Sequence, residues 1–266
     1  MSEFTNKNDM ILKIRLTEAV YAKSFIEKGQ IKFNTPQNWV NYSKTHQEGR
    51  GDYFEGAVVC GCVDEIDKIV EFYKNVPQFK DRHLIAELKD NRKIYRDKQS
   101  MQLPCFCFYL VKVGDLEHSN NNELTYTIPR SYIKDFVDHM SDEEIAKLEP
   151  DRKPAIITIS NFGEFKKRMC QKLKKIGVEE QEVIISEVAY RPDGDCFIHS
   201  NIEYPRELFI KNNRFSNQKE VRIIINTKNK EVLKILENPI EIGCLEDIAY
   251  MYEGYFPEGL KVKLKK

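Results

Sequence analysis

The chain lacks most of the features that would place it quickly. It has a single tryptophan, and no apolar run approaches the roughly 18 residues needed to cross a bilayer. It has no net charge: 42 Lys and Arg balance 42 Asp and Glu. That balance removes any global attraction to nucleic acid or acidic lipid and leaves room only for local patches. Neither a Gly-x-Gly-x-x-Gly turn nor a Walker-type phosphate loop occurs, so the classical nucleotide folds are not expected. The N-terminal Met-Ser-Glu-Phe-Thr-Asn-Lys-Asn-Asp has no apolar signal-peptide core. Seven cysteines, an odd number lying largely in apolar segments, fit reduced thiols. These features predict a cytoplasmic protein with no membrane partner.

With 266 residues, 41% of them hydrophobic, the chain is long enough for one sizeable core. Residues 1–9 read as a disordered leader. Residues 10–266 read as a single α+β domain with a helical insertion at about 64–99. Met10 to Leu16 alternates as a half-buried strand, and Thr17 is placed to cap a helix that ends at Gly29. Gln30 to Thr35 reads as a second strand stopped by Pro36, and 37–56 as a long functional loop. A short strand follows at 57–63. Ile66, Ile69, Val70 and Tyr73 form one helical stripe; Leu84, Ile85 and Leu88 form another, with Pro77 between them. Further strands are expected at Leu103–Val113, Ala155–Ser160, Val183–Tyr190 and Leu260–Leu264. Helices are expected at 129–149, Phe162–Ile176 and Glu231–Leu236, with a helical turn over Pro205–Lys211. The sum is a mainly antiparallel mixed sheet with inserted helices.

The most informative stretch runs from Arg214 to Asn226. From Gln218 the side chains alternate, so that Gln218, Glu220 and Arg222 share one face while Lys219, Val221, Ile223 and Ile225 share the other. An amide, a carboxylate and a guanidinium in line can hold a ligand of either charge. The same residues also suit a plain solvated ion pair on a half-exposed strand.

Other chemistry is thinner. The pairs Cys60/Cys62 and Cys105/Cys107 would bring four thiols together if their strands paired, but zinc sites favour Cys-x-x-Cys turns, and the apolar neighbours favour structural thiols. No metal is expected. His46, His83, His118, His139 and His199 have no ligand spacing. The basic run from Lys166 to Lys175 offers a surface for RNA or DNA, although Phe165, Met169 and Leu173 at i, i+4, i+8 make it first an amphipathic helix with a solvated face.

Ile26-Glu-Lys-Gly-Gln-Ile-Lys-Phe-Asn-Thr-Pro36, Gly51-Asp-Tyr-Phe-Glu-Gly56 and Gln218-Lys-Glu-Val-Arg222 together resemble a broad group of uncharacterised bacterial proteins, which carries no established activity. A more distant similarity is to the mono-ADP-ribosyltransferases, which use a first-strand Arg, a second-strand Ser or Thr and a late Gln-x-Glu. Arg15, Thr35 and Gln218-x-Glu220 occur here in that order. The resemblance implies NAD as substrate, an ADP-ribosyltransferase-like core, and transfer to a macromolecular acceptor by a toxin or phage-defence effector. It casts Glu220 as the catalytic carboxylate, Gln218 as orienting the acceptor, and Arg15 and Thr35 as positioning NAD. Glu55 and Arg222 would be supporting or acceptor contacts. Thr35 departs from the family in preceding Pro36, and the Arg-to-Thr spacing is short, closer to toxin-like members that modify nucleic acid. The alternatives are a non-enzymatic ligand- or partner-binding module and a nucleic-acid-acting enzyme.

Overall fold

The computed structural model describes residues 10–46, 51–77, 79–89, 91–118, 124–137, 140–192, 196–199, 203–253 and 260–264. The leader expected over 1–9 lies outside them. The first strand, β1 (Met10–Glu18), is longer than its alternation suggested. Thr17 stays in the strand opposite Ala155, so it does not cap the helix α1 (Ala19–Lys28); Glu18 occupies the cap position without a side-chain bond. Gly29 ends α1 as expected, at φ 62, and a Cβ there would lie 2.2 Å from the Gly243 carbonyl.

The second strand is shorter than expected. β2 covers only Gln30–Ile31, after which Asn34 makes one bridge to Cys105. Thr35 then caps a helix, α2 (Pro36–Ser43), at the start of the stretch expected to be loop. Proline ends a strand and opens a helix equally well, so Thr35-Pro36 alone does not choose between the two.

β3 (Ala57–Cys62) and α3 (Val63–Tyr73) follow the expected pattern. The second half of the helical insertion does not. It forms two antiparallel strands, β4 (Leu84–Lys89) and β5 (Arg92–Asp97), with Asn91 at φ 60 before the second. Short apolar runs are ambiguous in period, and pairing of β5 with both β3 and β4 decides the matter.

The remaining elements are β6 (Cys105–Lys112), β7 (Glu117–His118), β8 (Leu124–Ile128), α4 (Arg130–Phe136), α5 (Asp142–Ala146), β9 (Pro154–Ile159), α6 (Phe162–Lys175), β10 (Val183–Glu187), β11 (Ala189–Arg191) and β12 (Phe197–Ile198). Then come β13 (Ile210–Asn212), β14 (Glu220–Ile225), α7 (Lys230–Leu236), β15 (Ile240–Glu241), β16 (Ala249–Glu253) and β17 (Leu260–Leu264). The fold is mixed α+β and mostly antiparallel; β11 and β13 form a parallel pair. A six-stranded sheet, in the order β10-β14-β6-β1-β9-β16, carries the structure, and a four-stranded one, β12-β3-β5-β4, stands beside it. Among the described residues no helix is long and apolar enough to cross a membrane.

The large sheet is covered on both sides. On one face, Phe106, Phe108, Ile157, Ile223 and Ile225 pack with Phe25 of α1, Phe165, Met169 and Leu173 of α6, and Val232 and Leu236 of α7. Each such side chain contributes about 1.5–3 kcal/mol by leaving water. The other face carries Ile14, Leu16, Tyr109, Val111 and Ile156, packed with Ile133 and Phe136 of α4.

One irregularity in this sheet creates the site. β1 and β6 pair only from Met10/Lys112 to Ile14/Tyr109. Beyond Ile14, β1 continues with β9 as far as Glu18/Pro154, while β6 continues with β14 as far as Cys105/Ile224. The two central strands therefore part, leaving a gap between Arg15–Glu18 and 105–108.

Candidate functional site

A cleft of about 360 Å³ occupies this gap, and Arg15, Gln218, Glu220, Arg222 and Glu55 all line it. Arg15 and Glu220 nevertheless start from opposite faces of the sheet. Arg15 pairs with Ile157 of the face covered by α1, α6 and α7, whereas Glu220 pairs with Tyr109 of the face covered by α4. They share one cleft because the strands between them have separated. The Arg15 guanidinium lies 3.9 Å over the Phe106 ring, and its Nη1 donates to the Cys107 carbonyl at 2.8 Å.

The expected alternation begins two residues late. Gln218 closes a helical turn over 213–218, and Lys219 sits at φ 38, so the strand proper starts at Glu220. Lys219 consequently does not share the Val221 face; its Nζ pairs with Asp115 at 2.6 Å. Gln218 still reaches the cleft wall beside Glu220.

Glu220 and Arg222 are not a solvated pair on a half-exposed strand. Arg222 is 1% exposed. Its Nε donates to Glu220 Oε1 at 2.7 Å and its Nη2 to Glu220 Oε2 at 3.2 Å. On the other side Nη2 donates to Glu55 Oε2 at 3.0 Å, and Nη1 bonds to Glu55 Oε1 and the Leu208 carbonyl. The Trp39 ring of α2 lies 5.2 Å from the same guanidinium. Lys211 Nζ adds a contact to Glu220 Oε2 at 3.3 Å and one to Gln218 Oε1 at 2.7 Å. Cys107, which pairs with Arg222 across β6 and β14, also borders Glu220 in the cleft.

These charges stabilise one another unevenly. Burial works against the Glu220 carboxylate, but Arg222 and Lys211 outweigh it and hold the group well below the usual carboxylate range. Burial pushes Glu55 up, and Arg222 recovers only part of that shift. Burial opposes the Lys211 charge, yet Glu220 keeps the ammonium above the ordinary lysine range. Burial also raises the Cys107 thiol, so the protonated form faces Glu220.

The supports come from segments whose role was not legible in the sequence. Arg96 of β5 donates from Nε to the Glu55 carbonyl at 3.1 Å and from Nη2 to the Tyr53 carbonyl, pinning the 51–56 turn. Gly56 closes that turn at φ 64, with Met101 Sδ 2.7 Å from where a Cβ would stand. Arg82 pairs with buried Glu207 at 3.1 Å, next to the Leu208 carbonyl that receives Arg222.

Thr35 is placed differently from the other expected residues. Its Oγ1 accepts from the Asn38 amide at 3.3 Å at the start of α2, while Asn34, Asn38, Trp39 and Tyr42 are the residues of this segment that face the cleft. The two Cys-x-Cys pairs lie in different sheets, Cys60 and Cys62 on β3, Cys105 and Cys107 on β6, so the strands that would have joined them do not pair. In α6, Phe165, Met169 and Leu173 are buried as expected, and Arg168 is held by Glu164 and Asp247.

Sequence reasoning missed Lys211, Tyr132, Asp135 and Cys107 as cleft residues. Lys211 fell in the helical turn expected over Pro205–Lys211, and Tyr132 and Asp135 in the helix expected over 129–149. Only the odd aromatic Trp39 carried a signal, as the lone tryptophan in a long connection. Comparisons with protein-family models, with curated proteins and with solved structures return no match.

Proposed function

We propose that this cleft binds NAD and that the protein transfers ADP-ribose from it to a macromolecular acceptor. The observation that carries the reading is the meeting of Arg15, Gln218 and Glu220, far apart in sequence, on the wall of one cleft. Its volume of about 360 Å³ falls in the range of small-molecule sites. The lining suits a nucleotide: Arg15 and Lys32 match phosphate charge, and Trp39, Tyr42 and Tyr132 offer flat faces for a ring.

In the proposed reaction the bond between ribose C1′ and the nicotinamide nitrogen breaks, and its electron pair leaves with nicotinamide. Positive charge develops on the ribose. A carboxylate kept ionised beside it lowers the barrier electrostatically, which is the part assigned to Glu220. A nucleophile of the acceptor then bonds to C1′ and releases its proton. Arg222 acts behind Glu220, holding the carboxylate by two hydrogen bonds.

A second reading, a non-enzymatic ligand- or partner-binding module, rests on a specific observation. Arg222 Nε, Arg222 Nη2 and Lys211 Nζ already donate to the Glu220 carboxylate. About four acceptor directions are available to such a group. Three of them are taken, which leaves little of Glu220 for a ribose hydroxyl.

Calorimetry with NAD and an assay of nicotinamide release, with cell extract as acceptor, separate the two. The transferase reading requires release by the wild type and binding without release by Glu220→Gln, with melting curves to show that the variant is folded. Binding of NAD without release by the wild type leaves the module. Absence of both removes NAD from the account.

A further inference from the structure

We propose that Asn34 and Asn38 read the edge of the ligand's flat ring, meeting an acceptor and a donor side by side, as the nicotinamide carboxamide and the amino edge of adenine present them. Both side chains line the cleft, where the chain enters α2. Which way each amide is turned follows from a backbone donor. The Thr35 N–H only donates, and it lies 2.9 Å from the Asn34 side chain, so the Asn34 atom there is Oδ1. The same oxygen takes a second bond, at 2.7 Å, from the Asn38 side chain, so the Asn38 atom there is Nδ2. Asn34 Nδ2 and Asn38 Oδ1 are left as the outer atoms of the pair. One is a donor, the other an acceptor, and neither has a partner among the described residues.

The pair is anchored at both residues. Asn34 exchanges two backbone hydrogen bonds with Cys105 of β6, at 2.9 and 2.7 Å, in the stretch of β6 that β1 has left. Asn38 sits in the first turn of α2, where its backbone N–H is bonded to Thr35. Trp39, the next residue, places its ring 5.2 Å from the Arg222 guanidinium, and Arg222 holds Glu220. Trp39 and Tyr42, both in the cleft wall, supply ring faces, and the amide pair supplies the edge. A carboxamide oxygen accepts from Asn34 Nδ2 while its N–H donates to Asn38 Oδ1. Adenine uses a ring nitrogen and its amino group in the same two places.

The inference rests on the NAD-binding reading for its choice of ligand, and not on the transfer reaction. Calorimetry tests it with nicotinamide mononucleotide and with AMP. Each is compared with an analogue that lacks the amino donor: 3-acetylpyridine mononucleotide and purine riboside 5′-monophosphate. The wild type is expected to bind one parent at least about tenfold more tightly than its analogue, the scale of one well-placed hydrogen bond. The arm that shows the preference identifies the ring as nicotinamide or adenine. Asn38→Ala, shown to be folded by its melting curve, is expected to bind that parent and its analogue alike. A wild type that binds neither parent, or binds parents and analogues equally, overturns the proposal, as does a folded Asn38→Ala that keeps the preference. The wild-type comparison decides by itself should the variant not fold. A preference without nicotinamide release from NAD keeps the amide pair and drops the transferase reading; release without a preference does the reverse.

Discussion

Arg222 and Glu55, 167 positions apart, form a buried two-pronged pair in which each side chain is 1% exposed and Nη2 lies 3.0 Å from Oε2. The same guanidinium holds Glu220 with its remaining edge. One arginine therefore ties the 51–56 turn to the central sheet at the floor of the cleft, and its planar fork suits it to do so.

Removing that arginine leaves two carboxylates facing each other in a dry interior. Arg222→Met is expected to destabilise the fold by about 3–5 kcal/mol, the usual effect of breaking one half of a buried pair. Urea unfolding measures it. The double variant Glu55→Gln, Arg222→Met should be less destabilised than the single Arg222→Met, because one of the stranded charges has gone.

Gly56 gives a test of the turn that carries Glu55. Its φ of 64 disfavours any side chain, and an added Cβ would lie 2.7 Å from Met101 Sδ and 3.0 Å from Leu208 Cδ2. Gly56→Ala is expected to lose about 1–2 kcal/mol from backbone conformation alone. It should also weaken ligand binding by shifting Glu55 off Arg222. Thermal melting and calorimetry with NAD read the two effects separately.

Stability should depend on pH through Glu220. Its folded value is depressed from 4.5, so its contribution is present above that value and is lost as pH falls through the folded one. The stability difference between wild type and Glu220→Gln is therefore expected to be widest above about pH 4.5 and to narrow as the solution is acidified. A difference that stays constant from pH 7 to the acid unfolding transition, on the order of pH 3, would contradict the ionised state assigned to Glu220.

Arg15 tests the ligand rather than the fold. It is part-buried, stacked 3.9 Å over Phe106, and bridges to β6 through one carbonyl. Arg15→Met keeps much of the stacking volume and removes the charge. Affinity for NAD is expected to fall at least tenfold, roughly 1.4 kcal/mol, with little change in melting temperature. Equal loss in Arg15→Met and wild type on adding salt would argue against a charge contact with the ligand.

Much of the framework was legible because it depends on local pattern. The Phe165, Met169 and Leu173 stripe identified α6, alternation identified β1 and β14, and Gly29 marked the end of α1. The failures share a cause. Residues 84–97 are short and weakly periodic, so pairing with β3 decided them; Thr35-Pro36 fits a strand end and a helix start alike. Among the candidate site residues, Arg15, Gln218, Glu220, Glu55 and Arg222 converge on the cleft, whereas the Thr35 hydroxyl serves as a helix cap.

By itself the sequence determined the mixed α+β class, the identity of β14 as a central strand and the order of its polar face, because side-chain alternation is fixed by backbone geometry. Only the tertiary structure decided that Glu220 and Arg222 are buried, that Lys211 joins them, and that Arg15 meets them from the opposite face of the sheet. Those outcomes turn on where β1 and β6 stop pairing. A strand's own residues set which way its side chains point, but the distance to its neighbour is set by everything packed around both.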